Sequence, residues 1–161
     1  MTVLPTDPAA FRTVLGAFAS GLVVVGASGP DGPLGMTCQS FCSLSLDPPL
    51  VLFCPAATSS TWPRVRAVGS FCLSILSEDQ AGVSTRMSRS GTAKFAGVGW
   101  DRAPSGAPRL LGAVGWLDCS LRDEHEAGDH TVVVARVEAF GLDRERRPLL
   151  YHRGSYAHVA P

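Results

Sequence analysis

Two consecutive prolines, Pro48 and Pro49, stand between two apolar stretches. Proline has no backbone N–H, so the pair removes two donors at once and no sheet ladder runs through it. Strand, break, strand is the resulting pattern, and Leu50-Val51-Leu52-Phe53-Cys54 beyond the break reads as a fully buried strand. The same punctuation recurs along the chain. Gly29-Pro30-Asp31-Gly32 separates the valine-rich stretch from Leu22 to Ser28 from an extended one that begins at Leu34, so the two read as a hairpin. Gly112 to Arg122 and His130 to Phe140 read as two long strands joined by the acidic turn Glu126-Ala127-Gly128-Asp129. Phe71 to Leu76, Leu149 to Tyr151 and Ser155 to Val159 supply further extended pieces, and Arg102 to Pro108 reads as a loop.

Helical signals are fewer. Asp7 followed by Pro8 is an N-cap with proline at the first helical position, and Phe11, Val14, Leu15 and Phe18 then recur at helical spacing up to Gly21. That stripe is expected to lie against the rest of the molecule. Thr58 to Ala67 reads as a short helix closed by Gly69, and Glu78 to Met87 as another. Many short strands with few helices, in no regular alternation, predict a mainly β fold: a small, split antiparallel barrel with peripheral helices.

A length of 161 residues, 45% of them apolar and 17% charged, suits one domain over residues 1–161. Fourteen basic residues balance fourteen acidic ones, so no global field draws in nucleic acid. The longest apolar runs fall far short of the roughly 20 residues of a membrane-spanning helix. Met1 to Pro8 lacks the pattern of a secretory leader, which leaves the cytoplasm as the expected location. Five cysteines, an odd number without a CxxC pair, read as buried reduced thiols in a reducing compartment.

Several chemistries drop out. The only lysine, Lys94, is preceded by alanine rather than glycine, so there is no phosphate loop. Gly26-Ala27-Ser28-Gly29 has the wrong register for GxGxxG, and GxSxG is missing. His125-Glu126 and His130 resemble HExxH with the second histidine one place late. Five helical steps turn the two imidazoles to different faces, and Gly128 breaks such a helix, so no metal site is expected.

Two hydroxyl-rich segments remain. Gly35 to Ser45 crowds hydroxyls beside apolar residues, and Thr58-Ser59-Ser60-Thr61 opens a helix. The first reads either as a strand with a polar outer face or as the edge of a site for a planar, polar-edged ligand and its phosphate. The second reads either as a plain N-cap or as an anion site.

Gly35-Met36-Thr37, Ser40-Phe41, Ser43-Leu44-Ser45 and Asp47-Pro48-Pro49-Leu50-Val51-Leu52 resemble the signature of the flavin reductases that serve two-component flavin-dependent monooxygenases. Further matches follow in order: Phe71 to Leu76, Lys94-Phe95 before Trp100, Asp118-Cys119, Gly128-Asp129-His130, Pro148 to Tyr151, and Arg153-Gly154-Ser155-Tyr156. They extend over roughly residues 11 to 159, nearly the whole chain.

The resemblance implies a split barrel that binds FMN or FAD and works as a homodimer, each flavin site lying near the subunit interface. It implies that Gly35, Met36, Thr37, Cys38, Gln39 and Ser40 line the isoalloxazine and ribityl, and that Cys54, Pro55, Ser59, Ser60 and Thr61 hold the ribityl and phosphate. Ser88, Arg89, Lys94 and Phe95 match the segment that closes over the phosphate, where cations beside hydroxyls make a charge-assisted site. His130 matches the histidine beside the nicotinamide, the one expected catalytic residue, and Arg153, Gly154 and Tyr156 match a segment near the nicotinamide nucleotide. Gln39 departs from the wider family, which has Asn there; this chain contains no Asn.

The activity so implied is reduction of FMN or FAD by NADH or NADPH, with diffusible reduced flavin released to a separate monooxygenase. Because the reacting atoms belong to cofactors, positioning is the protein's main task. Two other readings stay open, an oxidase with tightly held FMN and a non-enzymatic flavin-binding module. Trp62, Trp100 and Trp116 are expected to suit a partly apolar dimer interface.

Overall fold

A computed structural model describes residues 7–160; the leader expectation for Met1 to Pro8 lies outside them apart from Asp7 and Pro8. The chain runs α1 (Pro8–Gly16), β1 (Ser20–Gly21), β2 (Val23–Gly29), β3 (Gly32–Cys38), β4 (Cys42–Leu46), β5 (Pro49–Phe53), α2 (Trp62–Val68), β6 (Ser70–Ile75), α3 (Ala81–Met87), β7 (Trp100–Arg102), β8 (Pro108–Leu110), β9 (Gly115–Ala127), β10 (His130–Leu142), β11 (Leu149–His152) and β12 (Ser155–His158). Seven strands form one antiparallel sheet in the order β3-β2-β6-β9-β10-β5-β4.

The edges of that sheet, β3 and β4, are consecutive in sequence and joined only by Gln39, Ser40 and Phe41. Four peptide steps from Cys38 to Cys42 reach about 14 Å, whereas a flat seven-stranded sheet sets its edges about 29 Å apart. The sheet must therefore curl, and because β3 and β4 share no ladder the curl is a barrel left open along one seam. The expected split barrel is thus what a three-residue link and a seven-stranded sheet require together.

Inside the curl lie Val23, Val25, Val51, Phe53, Phe71, Leu73, Val133 and Ala135, with Trp62 and Val65 of α2 closing one side. Phe53, Trp62 and Phe71 meet edge to face, with centroids 5.4 to 6.0 Å apart. The Trp62 indole N–H donates to Glu124 Oε1 at 2.9 Å, and Arg66 Nε lies 2.7 Å from Oε2, so one carboxylate fixes α2 on β9. A second cluster, with Leu22, Val24, Leu76, Met87, Phe95 and Leu149, lies under α3.

Five expectations change. The stripe along and just after α1 has no cover among the described residues: Phe11, Val14, Leu15 and Phe18 are 51%, 70%, 55% and 78% exposed, and no α1 residue is buried. The helix also ends at Gly16, while Gly21 belongs to β1. Asp7 does cap it, accepting from the amides of Ala9 at 2.9 Å and Ala10 at 3.2 Å. Strand β5 is buried only at Val51 and Phe53, because its other face turns outward. The stretch around Arg102 to Pro108 is flanked by a small β7–β8 hairpin, held by the Arg109–Asp101 ion pair. Of the tryptophans expected at an interface, Trp62 is buried in the core, while Trp100, against Phe95, and Trp116, beneath Arg109, stay partly exposed.

Candidate functional site

The seam opens into a cleft of about 970 Å³. One wall is the end of β3 from Met36 to Ser40, a second is Cys54 to Ala56 beyond β5, a third is Thr58 to Thr61 before α2, and the last is Met87 to Ser90 at the end of α3. Both hydroxyl-rich segments thus face one space. Ser40 stitches the first two walls: its Oγ accepts from Cys54 N at 2.9 Å and donates to Cys54 O at 3.0 Å.

His130 reaches the same cleft because the β9–β10 tip is sewn onto the segment after β5. Ala57 N donates to Asp129 O at 2.8 Å, and Thr131 N donates to Pro55 O at 3.0 Å. The imidazole is exposed at the cleft wall, with Nδ1 2.7 Å from Asp129 Oδ1. That hydrogen bond holds the Asp129 carboxyl below the usual aspartate range and orients the ring.

Lys94 is the main departure from expectation. It faces the cleft but is 7% exposed, and its ammonium donates to Gly35 O at 2.9 Å, Met87 O at 3.1 Å and Thr61 Oγ1 at 3.2 Å. Those bonds use all three of its N–H groups, so it is not the free phosphate donor that its position in the sequence implied. Burial first, and then the charge of Arg64, lower its pKa. Phe95 is likewise buried beneath the site, not in it. Gly35 does not line the cleft; a Cβ there would fall 2.7 Å from Phe95 Cε2 and 2.8 Å from Met87 Sδ, so glycine lets β3 lie against both.

The entrance to α2 differs too. The amides of Thr61 and Trp62 already donate to Ser59 Oγ, at 3.3 and 3.1 Å, and those of Arg64 and Val65 to Thr61 O. Ser59 is therefore the capping side chain of a helix of only seven residues, and side chains rather than a helix end must meet an anion. Thr37 lines the cleft with its hydroxyl donating to Ser84 O at 2.8 Å, and the Ser88 hydroxyl donates to Thr85 O at 2.8 Å. Ser60, Arg89 and Gln39 are exposed cleft residues.

Arg153, Gly154 and Tyr156 stand apart from the main cleft. Arg153 and Gly154, at φ of +50° and +77°, form the tight turn between β11 and β12, and the Arg153 amide donates to Gly16 O at 2.8 Å. Tyr156 lines a smaller pocket of about 240 Å³ with Tyr151 and Ser84. Thr37, Gln39 and Ser88 belong to both pockets, so the two adjoin. Residues that the sequence did not mark as site residues also face the main cleft, among them Leu15, Phe18, Cys42, Leu52 and Ser90. No local pattern assigns them to one site, since they come from α1, β4, β5 and two loops.

Arg89, Lys94 and His130 line the cleft, no carboxylate among the described residues does, and Cys38 is held neutral by burial, its pKa pushed up to about 12. Apolar Met36, Leu52 and Phe41 complete the lining. The arrangement fits an anionic ligand with a flat apolar portion, and its size, hydroxyls and cations fit a flavin nucleotide. Only His130 is placed for proton transfer, so the chemistry would reside in the ligands.

Residues 15–160 match the family described as flavin reductase like domain. The reductase subunit HsaB of a flavin-dependent monooxygenase from Rhodococcus jostii is 44% identical over 155 residues, covering 96% of this chain and 80% of its own. The FMN reductase (NADH) SmoA of Agrobacterium fabrum is 41% identical over 146 residues, covering 91% of this chain and 83% of its own. Among solved structures, the NADH:FAD oxidoreductase SgcE6 of Streptomyces globisporus, in complex with NAD and FAD fragments, superposes with a TM-score of 0.94 at 34% identity, covering 100% of this chain and 98% of its own.

Proposed function

The chain belongs to the flavin reductase like domain family, and we propose from that membership and from its cleft that it is a single-domain NAD(P)H:flavin oxidoreductase. It reduces FMN or FAD and releases the reduced flavin, which diffuses to a separate monooxygenase. The observation that carries this reading is one cleft, without a carboxylate among the described residues, into which Met36–Ser40, Ser59–Thr61, Arg89 and His130 all converge.

When bound, the flavin accepts hydride from the nicotinamide. Met36, Cys38 and Leu52 present an apolar surface that excludes water from a planar ring. The exposed Gln39 amide and the hydroxyls of Ser59 and Ser60 offer polar contacts, and Arg89 offers a fork for a phosphate. His130, oriented by Asp129, stands at the wall where a nicotinamide would meet the cleft, with Tyr156 in the adjoining pocket.

The same reading makes the chain a homodimer. Its support is the apolar stripe of Phe11, Val14, Leu15 and Phe18 beside the cleft, uncovered among the described residues, with Leu44 and Leu46 exposed on edge strand β4. Light scattering that shows only monomer at micromolar concentration refutes this. No described helix is long and apolar enough to cross a membrane, and five free thiols fit a reducing cytoplasm.

NADH oxidation by the purified protein tests the activity. A nearly colourless protein that oxidises NADH only when FMN or FAD is added supports the proposal. A yellow protein that reduces oxygen without added flavin is an oxidase, and a yellow protein inert to NADH and NADPH is a binding module; either overturns it.

A further inference from the structure

Lys94 is the chain's only lysine, and it is buried. Taking an ammonium out of water is costly unless its N–H groups are met, which is why lysine is seldom inside. Here each N–H has an acceptor, and the three acceptors belong to three different walls of the cleft: Gly35 O to β3, Met87 O to the end of α3, and Thr61 Oγ1 to the turn into α2. The separations from Gly35 and Thr61 are 59 and 33 residues, so the ammonium joins segments remote in sequence, and the Thr37 hydroxyl's bond to Ser84 O at 2.8 Å joins β3 to α3 beside it.

We propose that Lys94 is a positioning residue, which ties three walls of the flavin cleft at fixed spacing and contacts neither the phosphate nor the ring. The proposal rests on the flavin reading of the cleft. Charge makes each tie stronger than a neutral hydrogen bond, and a single ammonium is the only side-chain group that presents three donors from one point. Gly35 and Thr61 fit this role. Glycine lets β3 approach Met87 and Phe95, and Thr61, itself buried, turns its hydroxyl to the ammonium.

The test replaces Lys94 by Met, which keeps the apolar stem, and compares FMN with riboflavin, which has the same ring and ribityl but no phosphate. The flavin KM is expected to rise about tenfold for both, the loss of roughly one charge-assisted contact. At saturating flavin kcat should stay within about twofold, since hydride transfer itself is untouched. Amide exchange should quicken at residues 59–62 and 84–90 and not along β9 and β10. A loss confined to FMN makes Lys94 a phosphate ligand and overturns the proposal. A fall in kcat with KM unchanged shows general support of the fold and also overturns it. If Lys94→Met does not fold, Thr61→Val removes one acceptor, and the KM for both flavins should rise about threefold; unchanged values overturn the proposal. Wild-type protein that reduces neither flavin refutes the flavin reading instead, and the exchange measurement still judges the tie.

Discussion

Ser40 and Cys54 exchange two hydrogen bonds just beyond the β4–β5 ladder, Cys54 N–H to Ser40 Oγ at 2.9 Å and Ser40 Oγ–H to Cys54 O at 3.0 Å. A hydroxyl that donates and accepts at once stands in for one rung of a ladder. It carries the β4–β5 register, in which Cys42 faces Leu52, one step into the link from β3 and so fixes that link against the segment after β5. Ser40→Ala removes both bonds where water can replace them, so the expected cost is about 1 kcal/mol. The urea midpoint should fall with the slope unchanged, and the flavin KM should rise. An unmoved midpoint means that the rung holds nothing.

Where structure is local, the sequence was legible. The β2–β3 and β9–β10 hairpins follow from glycines at their turns: Gly32 and Gly128 take φ of +122° and +64°. The Asp7 cap and the break at Pro48 were equally plain. What tertiary contact decides was hidden. The period of Phe11, Val14 and Leu15 shows which side of α1 is apolar, not whether anything covers it. Three-residue strands such as β7 and β8 are too short to carry a period. For the site, resemblance named segments most of which the structure brings to one cleft, yet it could not show that Lys94 spends its donors on Gly35, Thr61 and Met87, or that Ser59 Oγ accepts from the amides at the start of α2.

Gly35 should not tolerate a side chain. An added Cβ would fall inside contact distance of the Phe95 ring and of Met87 Sδ. Both neighbours are buried and cannot swing away. Gly35→Ala is expected to cost about 1 to 3 kcal/mol by overpacking and to lower the melting temperature. A melting temperature equal to wild type would show that α3 and the Phe95 loop yield without penalty.

Asp101 gives a pH dependence of known sign. Its hydrogen bond from Arg109 Nε, at 2.6 Å, is the chief reason its carboxyl lies below the usual aspartate range. A depressed folded-state pKa contributes stability that is fully present above the unfolded value of about 3.9 and is lost as pH falls through the folded value. The stability difference between wild type and Asp101→Asn should be constant near neutrality and shrink below about pH 4. Solvent screens this half-exposed pair, so the difference is small. A difference that grows on acidification contradicts the assignment.

Thiol labelling reads the cleft without a mutation. Burial pushes the Cys38 and Cys72 thiols up to about 12 and raises Cys119 as well, whereas Cys42 is exposed in the cleft. The thiolate is the reactive form, so iodoacetamide at mildly alkaline pH should modify Cys42 first and the three buried thiols only after denaturation. Added FMN should slow the reaction at Cys42. Peptide mass mapping that finds Cys42 equally reactive with saturating FMN would place the flavin elsewhere.

Arg153 separates a turn residue from a ligand. Its φ of +50° is a conformation that a branched backbone adopts at a cost and glycine adopts freely, and its amide already holds Gly16 O at 2.8 Å. Arg153→Gly keeps that amide, relaxes the backbone and deletes only the guanidinium. Relief of the strain in the turn is offset by the greater freedom of glycine in the unfolded chain, so the melting temperature should change little. The kinetic result then concerns the side chain alone. If the guanidinium meets the dinucleotide, as the family segment implies, the NADH KM rises several-fold while the flavin KM holds. If both hold, Arg153 serves the β11–β12 turn and the end of α1, and the nicotinamide contacts belong to His130 at the cleft wall and Tyr156 in the adjoining pocket. His130→Ala, which deletes the imidazole at an exposed position, should then carry the rise in NADH KM that Arg153→Gly lacks, and stopped-flow reduction of bound flavin shows whether it does.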